Sequence, residues 1–125
     1  MVGMTTLIAL LSSGAGTWNH VASMMKTSTF ERTILVTDEF GAKSFPEKFK
    51  DMENYDFVVV NFNKPVKLLI SDIVRQLNEK ARVFEAGVNF VSGSGKEHMA
   101  LVAALIRCGI AFRLVAITQE GLEEL

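Results

Sequence analysis

Leu7-Ile8-Ala9-Leu10-Leu11-Ser12-Ser13-Gly14-Ala15-Gly16-Thr17 is an apolar run that stops abruptly in serine and glycine. Behind it Trp18, Val21, Ala22 and Met25 recur at helical spacing, so this part of the chain predicts a strand (Leu7 to Ser12), a tight turn and a helix. The run lacks the cationic flank and small-residue cleavage site of a secretory signal. The same alternation repeats outward. Thr33-Ile34-Leu35-Val36-Thr37 is rich in β-branched residues and ends at Asp38-Glu39-Phe40-Gly41. A polar stretch with Pro46 and several lysines follows and reads as a short helix or loop. Tyr55 to Phe62 predicts a third strand, and Asn63-Lys64-Pro65 opens a long helix with Val66, Leu69, Ile70, Ile73, Val74 and Leu77 as its buried stripe. Gly87 to Val91 predicts a fourth strand, running into Ser92-Gly93-Ser94-Gly95-Lys96. Met99, Val102, Ala103, Leu105 and Ile106 then mark a helix that Gly109 stops. Phe112 to Ile117 is the last expected strand, and the tail from Glu120 to Leu125 reads as too short for another element.

Strands separated by helices pack as a mostly parallel sheet with helices on both faces. The expected fold class is therefore α/β, a Rossmann-like, doubly wound, mostly parallel sheet of five strands. With strand order 3-2-1-4-5, strands one and four are neighbours, and a ligand crevice opens beyond their carboxyl ends. The loops that follow those two strands, Ser12 to Thr17 and Ser92 to Lys96, are the most Gly/Ser-rich stretches of the chain. Topology and composition thus mark the same place.

Composition narrows the remaining choices. A chain of 125 residues forms one domain, and 49% hydrophobic with 22% charged residues excludes disorder. No apolar run is long enough for a membrane span. The lone Cys108 lies in an apolar helical pattern and reads as a small buried side chain in a reducing, cytoplasmic setting. A net charge of −1 gives no basic field for a long nucleic acid, so an anionic ligand must be small and locally held.

Glycines let a backbone turn sharply and approach a ligand, and the amides at a helix N-terminus favour an anion. Ser12, Ser13, Gly14, Gly16 and Thr17 in one loop, with Ser92, Gly93, Ser94, Gly95 and Lys96 in the other, are the candidate phosphate-binding residues. Tight strand-to-helix turns use the same residue types, and Ser94 with Glu97 fits a capping box, which assigns Glu97 to the cap. Lys96 stands out because a cation in the first helical turn opposes the macrodipole unless an anion sits there.

A Walker A loop is excluded, since Phe90 stands where its first glycine belongs and Glu97 replaces its Ser/Thr. Gly14-x-Gly16 with Asp38 at the end of strand two is a fragment of a dinucleotide fingerprint without its third glycine. A receiver module would need an aspartate at the end of strand three, where the chain has Asn61-Phe62-Asn63. His20 and His98 lie one turn into helices beside the glycine loops, with no metal-ligand spacing. Trp18 and Phe40 are placed either to stack on a base or to join the core or a dimer interface.

Together, the first strand with its serine-glycine turn and the late strand running into Ser92-Gly93-Ser94-Gly95-Lys96 ahead of a Met/Ala/Leu-rich helix resemble the CRISPR-associated Rossmann fold (CARF) family. The resemblance spans Leu7 to Thr118. Ser92, Gly93 and Lys96 match the first hydroxyl, first glycine and lysine of that family's Thr-Gly-Gly-Thr-Lys loop, while Ser94 and Gly95 exchange the characters of the two middle positions. The resemblance implies a homodimer that binds cyclic oligoadenylate across its two-fold axis, with no cofactor and no metal. A chain without an effector domain is similar to the compact ring nucleases, in which a ribose 2′-hydroxyl attacks its own phosphodiester. That reading gives Lys96, Ser12 and Ser13 catalytic roles and leaves the glycine loops to bind phosphates. A non-catalytic sensor or sponge, or an unrelated nucleotide- or dinucleotide-binding protein, are the alternatives.

Overall fold

The alternating pattern becomes a mixed sheet of six strands flanked by four helices in a computed structural model that describes residues 5–12, 15–81 and 83–125. The elements are β1 (Thr6–Leu10), α1 (Ala15–Met25), β2 (Arg32–Thr37), α2 (Glu39–Lys48), β3 (Tyr55–Val59), α3 (Val66–Lys80), β4 (Glu85–Asn89), α4 (Gly95–Arg107), β5 (Ala111–Thr118) and β6 (Gly121–Glu124). The sheet order is β3-β2-β1-β4-β5-β6. Strands β1 to β5 run parallel, and β6 returns antiparallel to β5.

β1 is the centre of the molecule. Ile8 pairs with Ile34 on one side and Val88 on the other, and every residue of the strand is buried. Burial on both faces explains why its sequence is continuously apolar rather than alternating. Leu7, Ala9 and Leu11 pack with Trp18, Val21 and Met24 of α1 and Phe45 of α2. Ile8 and Leu10 point the other way, against Leu69, Ile73 and Leu77 of α3 and Leu101 and Leu105 of α4. Alternate side chains of one strand thus feed two separate cores.

The tail corrects the expectation of five strands: Gly121–Glu124 forms a sixth. Gly121 takes a φ of +100°, and Thr118 pairs with Gly121 across a two-residue reversal. Hairpin closure, not apolar content, makes this strand, which is why Leu122-Glu123-Glu124 shows no strand pattern. Pro46 lies inside α2, two residues before its end. There it forfeits only the bond it would donate to the carbonyl four residues back. β3 ends earlier than its sequence suggests because Asn61 Oδ1 accepts the Asn63 N–H at 2.9 Å and turns the chain.

Exposed edges are closed locally. The Gln76 side chain meets the β3 backbone at Val59, accepting its N–H at 3.0 Å and donating to its carbonyl at 2.7 Å. The Lys80 ammonium donates to the Phe57 carbonyl on the same strand. At the opposite edge β6 is short and carries Glu123 and Glu124, a composition that discourages further strand pairing. Among the described residues, no helix is long and apolar enough to cross a membrane.

Candidate functional site

β1 lies beside β4 in the sheet, and the two loops that leave these strands are tied together. The Ser12 N–H donates to Ser92 Oγ at 2.8 Å, and the Trp18 indole N–H donates to the Ser12 carbonyl at 3.1 Å. Ser92 has no exposed surface, so its hydroxyl fixes one loop against the other. His98 Nε2 lies 2.9 Å from the Ser92 carbonyl, and its ring meets Phe90 edge-on. Gly93 takes a φ of +102°, and a Cβ there would lie 2.9 Å from Glu97 Oε1. A larger residue is therefore strained at that turn.

Ser94 caps α4 by accepting the Glu97 N–H, while the Glu97 carboxylate accepts the Ser94 N–H at 3.0 Å. Glu97 is thus a capping partner, as its spacing indicates. Lys96, half-buried, extends across the carboxyl end of the sheet and donates to the Phe62 carbonyl beyond β3 at 2.9 Å. This carbonyl supplies a structural use for a lysine in the first turn. Two further N–H donors of the ammonium remain to be directed elsewhere.

Gly16 and Thr17 lie in the first turn of α1, whereas Ser13 and Gly14 fall outside the described residues. Gly16 and Gly95 differ from Gly93. Neither has a positive φ, and among the described residues a Cβ at either would meet nothing within 4 Å. His20 turns away from this region: its Nε2 accepts the Ile117 N–H of β5 at 3.2 Å. Cys108 is half-buried at the end of α4, and burial pushes its thiol up. Among the described residues no three His, Cys, Asp or Glu side chains cluster as metal ligands do.

A cavity of about 650 Å³ opens beside the joined loops, within the size range of small-ligand sites. Ser12 and Glu97 form the wall it shares with the loops, and Trp18, Asp38 and Phe40 form another. Ser44 and Lys48 of α2, with Asn61, Phe62 and Asn63 after β3, complete it. The expected crevice beside β1 and β4 therefore extends toward β2 and β3. Sequence reasoning singled out Phe40 as a stacking candidate but did not assign Ser44, Lys48, Asn61 or Asn63 to a site. The signal was the pair of amides Asn61 and Asn63 just beyond a strand at the carboxyl edge of a parallel sheet.

The β2–α2 corner that carries Phe40 is rigidly built. Thr37 Oγ1 donates to the Leu11 carbonyl at 2.7 Å, and Asp38 caps α2 by accepting the Gly41 N–H at 2.9 Å. A Cβ on Gly41 would fall 1.8 Å from Thr37 Oγ1, so only glycine fits beneath that threonine. The corner holds the Phe40 ring 70% exposed, 6.3 Å from the Trp18 ring.

The arrangement offers helix N-terminal amides, a lysine, hydroxyls and an aromatic cavity at one edge of the sheet. Such a set can hold phosphates on one side and a planar base on the other. No protein-family model matches the chain, and no curated protein matches it.

Proposed function

We propose that this chain is a Rossmann-like, doubly wound domain of the CARF type that binds cyclic oligoadenylate at the joined β1 and β4 loops and cleaves it. The observation that carries the reading is the pair of helix-opening glycines, Gly16 and Gly95. The described surroundings would admit a Cβ at both positions, so local packing calls for glycine at neither. A phosphate drawn against the first amides of α1 and α4 supplies the reason, because it needs the space a Cβ would take. The Ser12–Ser92 hydrogen bond supports the same reading by holding the two anion sites in one fixed relation.

In the proposed reaction a ribose 2′-oxygen forms a bond to the adjacent phosphorus, and the bond from phosphorus to the 5′-oxygen breaks. The 2′-hydroxyl gives its proton to solvent water, and the departing 5′-oxygen takes one up from solvent, so no net proton is consumed. The products end in a 2′,3′-cyclic phosphate and a 5′-hydroxyl. Lys96 stabilises the negative charge that grows on the phosphoryl oxygens. Ser12 and Ser13 orient the phosphate or ribose so that attacking and leaving oxygens lie in line. The backbone at Gly14, Gly16, Thr17, Gly93 and Gly95 anchors neighbouring phosphates, Ser92 positions the loops, and Ser94, whose N–H is held by Glu97, orders the start of α4 instead of binding the ligand itself.

The reading includes a cytoplasmic homodimer. The support for the dimer is α4, where Leu101, Ala104 and Leu105 face the core while Met99 and Ile106 stand 60% and 67% exposed. With Val102 between them they form an apolar stripe at spacings of three and four residues.

The test is incubation of the purified protein with cyclic tetra-adenylate in excess EDTA, with products resolved by liquid chromatography and mass spectrometry. Linear products ending in cyclic phosphate, lost in Lys96→Ala, are expected. An intact ring retained by the protein would make it a sensor or sponge. Cleavage by Lys96→Ala at the wild-type rate would remove that residue from the chemistry.

A further inference from the structure

Phe40 presents a problem that the phosphate-binding loops do not solve. Its ring is 70% exposed although the corner beneath it is pinned by the Asp38 cap, the Thr37 bond and the close fit of Gly41. The exposure is thus held in place by the fold. The ring borders the 650 Å³ cavity, with Trp18 behind it at 6.3 Å.

The polar groups of this cavity define what it accepts. Asp38 and Glu97 line it against a single ammonium, Lys48, so its carboxylates outnumber its cations and disfavour a phosphate. They accept hydrogen bonds instead, which suits an amino group. Asn61 Oδ1 already accepts the Asn63 N–H, so the group it turns to a ligand is its amide NH₂, a donor for a ring nitrogen. An aromatic face, carboxylate acceptors and an amide donor around a nucleoside-sized space complement a planar base that carries both ring-nitrogen acceptors and an exocyclic amine.

We infer that the cavity bounded by Phe40, Trp18, Asp38, Asn61 and Glu97 is a base subsite, in which one adenine of the ligand stacks on Phe40. The inference rests on the proposed cyclic oligoadenylate ligand. It assigns the base and the phosphates to different parts of the sheet edge. Phosphates lie over the amides of α1 and α4, and the base lies under the β2 and β3 corners. Ser12 and Glu97, shared by loops and cavity, mark the boundary.

The experiment is calorimetric titration of cyclic tetra-adenylate into the wild-type chain, Phe40→Ala and Phe40→Trp, with the melting temperature of each recorded. Because the ring is exposed, Phe40→Ala should melt close to wild type. It should bind the ligand roughly ten- to a hundredfold more weakly, the loss expected when a base loses its aromatic platform. Phe40→Trp should restore most of the affinity. If wild type binds and Phe40→Ala binds equally well, the base subsite is wrong while the ring-binding reading stands. If the wild-type chain does not bind cyclic tetra-adenylate, both readings fall.

Discussion

The β4–α4 corner and the β2–α2 corner lie on the same edge of the sheet and use their residues in opposite ways. The first carries the conspicuous run Ser92-Gly93-Ser94-Gly95-Lys96, yet much of it is used inside the chain. Ser92 binds the neighbouring loop, Ser94 and Glu97 cap each other, and Lys96 reaches the Phe62 carbonyl. The second corner carries only Asp38, one piece of an incomplete dinucleotide fingerprint. It nevertheless holds a phenylalanine out to solvent and shapes a wall of the 650 Å³ cavity. A glycine-serine run marks where a strand must turn into a helix, and its side chains build that turn first. Surface available to a ligand is found where folding leaves a large side chain unsatisfied or a glycine unexplained.

The sharpest way to break the comparison is at the glycines. Gly41→Ala forces a methyl group into Thr37 and should lose about 3 kcal/mol by chemical denaturation, the upper range of overpacking effects. Adding Thr37→Ala should recover part of that loss, because the clash is with the threonine hydroxyl. Strict additivity of the two substitutions would show that the clash is relieved some other way. Gly93→Ala should lose about 2 kcal/mol from its positive φ and its contact with Glu97. Gly95→Ala, two residues on at the exposed first position of α4, should leave stability within about 0.5 kcal/mol of wild type. Its predicted defect is in binding cyclic tetra-adenylate. Equal destabilisation by Gly93→Ala and Gly95→Ala would erase the distinction between an architectural and a ligand-facing glycine.

Ser92→Ala sharpens the same contrast. It leaves the Ser12 N–H without its acceptor and should lose about 1 to 3 kcal/mol, measurable by urea titration. The smallest effect belongs to Asp72 on α3. A hydrogen bond from the Lys64 ammonium, with the charges of Lys64 and Arg75, holds its carboxyl below the ordinary 3.8. A folded-state value below the unfolded one stabilises the protein above the unfolded value and is lost as pH falls through the folded one. Asp72→Asn should therefore lose no more than about 1 kcal/mol near neutrality, because the pair is at the surface, and should match wild type at strongly acidic pH.

Much of the fold was legible because burial writes itself into sequence. The continuous apolar stretch from Leu7 to Leu11 announced a strand covered on both faces, and the α3 stripe from Leu69 to Leu77 announced its packing face. The order of the first five strands, 3-2-1-4-5, was left open by the sequence, because periodicity finds strands but not their neighbours. β6 was not legible, since its four residues bury little and exist through pairing with β5. The loops were legible as places, and the capping role of Glu97 could be read from its spacing to Ser94. Lys96 was harder, because its partner, the Phe62 carbonyl, lies 34 residues away along the chain. The cavity was least legible. Asn61 and Asn63 drew notice in the sequence only for lacking an aspartate, yet they line the same cavity as Phe40 and Asp38 from the loop beyond a different strand.

The most direct test of the central claim, that the joined loops hold a cyclic oligoadenylate, is a comparison of ligands by thermal denaturation of the wild-type chain. Cyclic tetra-adenylate should raise the melting temperature by several degrees, with adenosine monophosphate and NAD producing much smaller shifts at the same concentration. An equal or larger shift with NAD or the mononucleotide, or no shift with the ring, would contradict the account.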